Sequence, residues 1–197
     1  WTRSSQRRLP LVFPMVAEAE PRLKAWRDAA DALASELRRG LSVVLLCEGD
    51  ASLFASSSYV QLALRKQHPD LTVKLIPGVP AVCAAAAAGA ETGIDWPLAL
   101  QQDGVLIRPC PDHESDLERL LESAESSSMV LALIKLGQRW PWVRACLERR
   151  QLLEASLFAQ RVGWPDQVLA RAIDIPAESK PYFSLLLIRQ TWPEVLP

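Results

Sequence analysis

Residues 42–50, SVVLLCEGD, decide the fold. Five successive apolar residues follow Ser42, and the charged triplet Glu48-Gly49-Asp50 stops them. An unbroken apolar run of strand length predicts a strand buried on both faces, the habit of parallel sheets. Just upstream, Pro21 opens a helix in the first turn, where its missing N–H costs nothing. Leu23, Trp26, Ala30, Leu33 and Leu37 follow at helical spacing, and Arg38-Arg39-Gly40 supplies a basic last turn and a stop. Downstream the pattern predicts a helix over 56–67, closed before Pro69, and a second strand over 71–76, ended by Pro77-Gly78. Strand, helix, strand in this order means an α/β architecture.

The alternation continues to the C-terminus. Residues 82–90 read as a helix built almost wholly from alanine, 105–108 as a strand and 114–124 as a helix. MVLALI (129–134) is again a doubly buried strand, 141–149 a helix with Pro at its start, and 155–159 and 183–188 the last two strands. Fewer helices separate these last segments, so they are expected to pair antiparallel. Residues 11–15 (LVFPM) are broken by Pro14 and serve as an edge strand or a packing loop.

Composition narrows the function classes. Hydrophobic residues make up 49% and charged residues 23% of 197, as in globular domains, so disorder and coiled coil are poor readings. A formal net charge of −1 gives no bulk attraction to nucleic acid, and the Arg doublets read as solvated helix ends. The longest apolar stretch, 81–90, is half of the roughly 20 residues that span a bilayer, so no membrane association is expected. Cys47, Cys83, Cys110 and Cys146 are widely spaced and read as buried free thiols of a reducing compartment. The lone Cys110–His113 spacing lacks a second half, so no metal is expected.

Neither His68 nor His113 sits in a triad-like setting, and the phosphate- and dinucleotide-binding glycine loops are absent from the sequence. What remains are two strand-end turns, Glu48-Gly49-Asp50 and Pro77-Gly78-Val79-Pro80. Ligands of open α/β sheets bind beyond the carboxyl ends of strands. Gly49 permits a tight turn and close backbone approach, while Asp50 either caps the next segment or accepts hydrogen bonds from a ligand.

These turns, with VVLLCEGDASLF, LTVKLIPGVPAVCAAAAAGA, MVLALIKLGQ, LFAQRVGWPDQ and PYFSLLLI in order, resemble the tetrapyrrole methylase family. The resemblance covers nearly the whole chain and rests on order and spacing, not on one motif. It implies two α/β domains with the cofactor cleft between them, residues 1–77 being the remainder of the first and 78–197 the second. The family's opening strand and G-x-G-P-G loop have no counterpart in the sequence, so the first domain is expected to be incomplete. The implied activity is S-adenosylmethionine-dependent methylation, with S-adenosylhomocysteine as product and no protein-bound metal. The branch it looks most like acts on ring carbon C-20 of precorrin-2 or cobalt-factor II in corrin synthesis. The alternatives are a non-catalytic homologue that binds cofactor or a partner, and a methylase of another acceptor. A tetrapyrrole substrate, a homodimer and a cytoplasmic setting are implied too.

Carried over by position, the resemblance implies cofactor contacts at Glu48, Gly49, Asp50, Leu53, Pro80, Ala81, Ile134 and Val162. Pro80 stands where relatives have Thr or Ser, which removes a hydroxyl and a backbone donor, and Ala51 stands where they have Pro. Lys135 and Arg139 are candidates for substrate carboxylates by their place near a strand end.

Overall fold

The computed structural model describes residues 2–194. The chain divides into two compact units, Trp1–Pro80 and Ala81–Pro197.

The first unit is organised by two helices, α1 (Ala19–Arg38) and α2 (Ser56–Gln67). Ala29, Ala30, Leu33 and Ala34 of α1 form a buried stripe against Val60 and Leu64 of α2. Alanines at this contact let the helix axes approach closely. At the margin Trp26 stacks on Tyr59, ring centroids 4.1 Å apart and 8° from parallel. His68 Nε2 meets Asp31 Oδ1 at 2.8 Å, which pins the end of α2 to α1.

Leu11, Phe13, Val43, Leu45 and Leu71 pack on this helix pair. They belong to three extended segments, and here the structure corrects two expectations. Residues 42–47 and 71–76 run without regular strand pairing among the described residues. Nor is the first run buried on both faces: Val43 and Leu45 turn inward, whereas Val44 and Leu46 are 77% and 65% exposed. Strand identity requires a neighbouring backbone as well as an apolar sequence, and neither segment finds one in the described unit. The piece at 11–15 is a packing loop.

The second unit is a five-stranded sheet covered on both faces. Its strands are β1 (Gly104–Pro109), β2 (Met129–Ile134), β3 (Ser156–Gln160), β4 (Val168–Arg171) and β5 (Ser184–Ile188), in the order β1-β2-β5-β3-β4. Helix α4 (Glu114–Ser126) connects β1 to β2, which pair in parallel; the other neighbours are antiparallel, as expected for the last segments. Side-chain alternation divides the core. Leu131, Leu133, Phe158, Leu186 and Ile188 face α4 and α5 (Trp140–Arg149). Ala132, Leu157, Ala159, Leu185 and Leu187 face α3 (Ala81–Glu91). Complete burial of such a leucine contributes about 2 kcal/mol.

The alanine run of α3 is explained by its seat on the sheet. A Cβ at Gly89 would lie 3.0 Å from the carbonyl oxygen of Ile94 and 3.2 Å from a methyl of Leu157. On the opposite face Trp140 is fully buried, its Nε1 donates to the carbonyl of Pro176 at 2.9 Å, and its ring meets Phe158 at 5.1 Å. Cys110 and Cys146 are buried as expected, but Cys47 and Cys83 are exposed. Cys47 ends the extended run whose outer face is bare, and Cys83 lies on the side of α3 away from the sheet-facing Val82 and Ala85. Among the described residues no helix is long and apolar enough to cross a membrane.

Candidate functional site

Two turns 28 residues apart are drawn together in the first unit by one side chain. The carboxylate of Asp50 accepts the amide N–H of Ser52 at 2.8 Å and the Ser52 hydroxyl through Oδ1, and the amide N–H of Gly78 at 2.8 Å through Oδ2. The Ser52 hydroxyl, the Gly78 amide and the Ser52 amide hold the Asp50 carboxyl below the usual aspartate range, against a smaller opposing effect of burial. An ionised carboxylate offers roughly four acceptor positions, so room remains for a further donor.

Glycine is required on both sides of this junction. Gly49 has φ +74°, the left-handed conformation that side chains disfavour. A Cβ on Gly78 would sit 2.1 Å from the Gly49 carbonyl oxygen, far inside contact distance. Beyond Asp50, the Ser57 and Ser58 hydroxyls donate to the carbonyl of Ala51 at 3.2 and 2.9 Å and tie the loop to the start of α2. The Leu53 amide donates to the Asp50 carbonyl at 3.3 Å, which closes a turn that leaves Leu53 partly exposed and Phe54 at φ +54°. Glu48 is exposed at the head of the same turn. Glu48, Gly49, Asp50, Leu53 and Pro80 therefore belong to two adjoining turns.

The second-unit candidates fall on one face of the sheet. Ile134 ends β2 and Val162 lies just past β3, and both pack against the cluster that holds Val82 and Ala85 of α3. Leu185 of β5 is paired with Ile134 on one side and Ala159 on the other. Ala81 is the exposed first residue of α3, joined to Pro80 by the peptide bond that links the units. Sequence reasoning missed Ser52 and Gly78 as partners of Asp50; the signal for Gly78 was its place in the second turn, and Ser52 gave none beyond its small size.

Arg139 is committed elsewhere. Arg139 Nε donates to Asp112 Oδ1 at 2.9 Å, a second guanidinium nitrogen meets the same oxygen, and this bidentate contact draws the Asp112 carboxyl down. Lys135 follows β2 at φ +62°, with its ammonium 5.8 Å from the ring centre of Tyr182. Glu114, Glu118 and Cys146 bring donor atoms within 4.8 Å of one another. Both carboxylates there are already paired, with Arg149 and Arg150, and burial pushes the Cys146 thiol up to about 12.

The family model described as Tetrapyrrole (Corrin/Porphyrin) Methylases matches residues 2–172. The cobalt-precorrin-2 C(20)-methyltransferase of Salmonella typhimurium is 28% identical over 182 residues, covering 91% of this chain and 72% of the relative. Among solved structures, the methyltransferase CobJ superposes with a TM-score of 0.59 at 23% identity, covering 83% of this chain and 70% of that one. The uroporphyrin-III C-methyl transferase from Thermus thermophilus, complexed with S-adenyl homocysteine, gives 0.52 at 20% identity, with 82% and 71% covered.

Proposed function

The chain belongs to the tetrapyrrole (corrin/porphyrin) methylase family, and on that premise we propose that it binds S-adenosylmethionine and methylates C-20 of precorrin-2 or cobalt-factor II in corrin synthesis. The specific step is supported by the likeness to the Salmonella cobalt-precorrin-2 C(20)-methyltransferase. The reading assigns cofactor contacts to Glu48, Gly49, Asp50, Leu53 and Pro80 in the first unit and to Ala81, Ile134 and Val162 in the second. It carries with it a homodimer working in the cytoplasm, without a resident metal.

The observation that supports the reading most is the Asp50–Gly78 tie, because it joins two turns distant in sequence into one surface with exposed backbone. Its donor set suits the group. Asp50 is held ionised and can face a positively charged donor, Gly49 and Gly78 let backbone approach closely, and Leu53 offers apolar contact. Pro80 has no amide hydrogen, so neighbouring backbone must supply any donor needed there.

S-adenosylmethionine supplies a methyl group already activated on a sulfonium. The protein therefore needs no nucleophile of its own; its residues hold the partners in line, and orientation can supply several kcal/mol of the barrier. Calorimetric titration with S-adenosylhomocysteine tests the pocket, with saturable binding in the micromolar range, about −8 kcal/mol, as the expected result. Incubation with S-adenosylmethionine and either precursor should then add one methyl mass to the ring. A folded chain that neither binds the product nor transfers methyl overturns the reading.

A further inference from the structure

Five side chains form an unbroken row across the ends of three strands in the second unit. Lys135, just past β2, sets its ammonium 5.8 Å from the ring centre of Tyr182. Tyr182 meets Phe183 edge-on at 5.4 Å, and Phe183 meets Trp164 at 5.9 Å and 40°. Arg161, just past β3, closes the row with its guanidinium carbon 5.7 Å from the Trp164 ring centre. Three contiguous rings thus lie between two cations.

The row is built by the sheet. β5 runs between β2 and β3, so the residues entering β5 lie between those leaving its neighbours. The Arg161 amide donates to the Phe183 carbonyl at 2.9 Å, and the Leu136 amide to the Ser184 carbonyl at 3.1 Å. Lys135 and Arg161 both adopt left-handed backbone, φ +62° and +48°, where each strand breaks off.

Packing of the core does not account for the rings. Trp164, Tyr182 and Phe183 are 41%, 42% and 52% exposed, in a unit whose other large residues are mostly buried. Three adjoining exposed aromatics make an apolar patch of the kind that marks binding surfaces. The cations at its ends select the charge of the occupant, since a cationic ligand would be repelled there. Arg161 is ion-paired with Asp166, an exposed contact of small net worth that an incoming carboxylate can replace.

We propose that this row, Lys135-Tyr182-Phe183-Trp164-Arg161, is a docking shelf for a flat conjugated ring bearing peripheral carboxylates, the ring lying on the aromatics and carboxylates reaching the cations. It deepens the methylase reading and rests on it, because a tetrapyrrole with acidic side chains is the ligand of that chemistry.

Uroporphyrin serves as the probe, its binding read from the shift of its Soret band, with S-adenosylhomocysteine titrated in parallel on the same samples. The expected result is saturable uroporphyrin binding that Phe183→Ala and Lys135→Gln each weaken by about tenfold. Phe183→Tyr and Lys135→Arg should restore it, and Lys135→Gln should flatten its salt dependence. Both altered side chains lie at the rim, and near-UV circular dichroism checks that each variant keeps its packing. Absence of uroporphyrin binding to the wild-type chain overturns the shelf, as does binding that folded variants leave unchanged. Variants that lose S-adenosylhomocysteine and keep uroporphyrin overturn it as well, because the row would then be a cofactor contact. Failure of the methylase reading has a different signature: S-adenosylhomocysteine fails to bind the wild-type chain whatever uroporphyrin does.

Discussion

Asp50 Oδ2 accepts the amide N–H of Gly78 at 2.8 Å, and the Cβ that Gly78 lacks would lie 2.1 Å from the carbonyl oxygen of Gly49. The two facts are one device. The hydrogen bond draws the second turn onto the first, and only glycine lets it come that close. Asp50 is therefore a latch between the two turns.

Gly78→Ala should open this latch. The added methyl strikes backbone, which has no flexible end to give way, so the turns must separate. Overpacking of this kind costs about 1–3 kcal/mol. Urea unfolding should register that loss, and calorimetry should show S-adenosylhomocysteine binding falling with it. A variant of wild-type stability and affinity would show that neither depends on the close approach of the two turns.

The latch should also fail in acid. Its hydrogen bonds hold the Asp50 carboxyl below the ordinary aspartate range, so the stabilisation is fully present above the unfolded-state value. It is lost as pH falls through the lower, folded-state value, when a proton occupies the carboxylate. Affinity for S-adenosylhomocysteine should hold through neutral and mildly acidic pH and decline only below the usual carboxylate range. Asp50→Asn should bind about tenfold more weakly and lack that acidic limb.

Thiol chemistry separates the four cysteines into pairs. Cys47 and Cys83 are exposed, whereas Cys110 and Cys146 are buried and burial pushes each thiol up to about 12. Reaction requires the thiolate and access to it. Two cysteines should react with a chromogenic disulfide in the native state and all four after denaturation. Mass mapping should place the fast label on Cys47 and Cys83.

What the sequence disclosed follows from where each element finds its partners. MVLALI was legible as a strand because both its neighbours, β1 and β5, lie within the chain and both its faces are covered. The equally apolar run at 42–47 misled, since Val44 and Leu46 remain exposed and no described backbone pairs with it. β4 escaped notice because Val168–Arg171 is short, carries a charge and lies at the sheet edge. For the site, the turns at Gly49 and Gly78 were visible as punctuation after apolar runs. That Asp50 joins them was not, because a contact spanning 28 residues leaves no local pattern. Lys135 was singled out by position, but its place in a row with Tyr182, Phe183, Trp164 and Arg161 depends on β5 inserting between β2 and β3.

The strongest electrostatic commitment of the second unit lies away from these candidates. Arg189 is 2% exposed at the end of β5; its guanidinium donates to Asp103 at 2.6 Å and to the Pro97 carbonyl at 2.8 Å, and its charge lies 4.5 Å from the Trp192 ring centre. Burial pushes the Asp103 carboxyl up, but the hydrogen bond from Arg189, the Leu100 amide and the Arg189 charge together outweigh it and leave the value lowered. Removing one partner strands the other without solvent, so Arg189→Met should cost about 3–5 kcal/mol in urea unfolding. The pair Arg189→Met with Asp103→Leu should cost less than the single change, because no lone charge is left buried. Its stability should also lose the acidic dependence that Asp103 confers in the wild type, where the contribution disappears as pH falls through the lowered carboxyl value. A double variant as unstable as the sum of its parts would show that the two side chains act separately, and that the contacts of Arg189 with Pro97 and Trp192 carry the stabilisation instead.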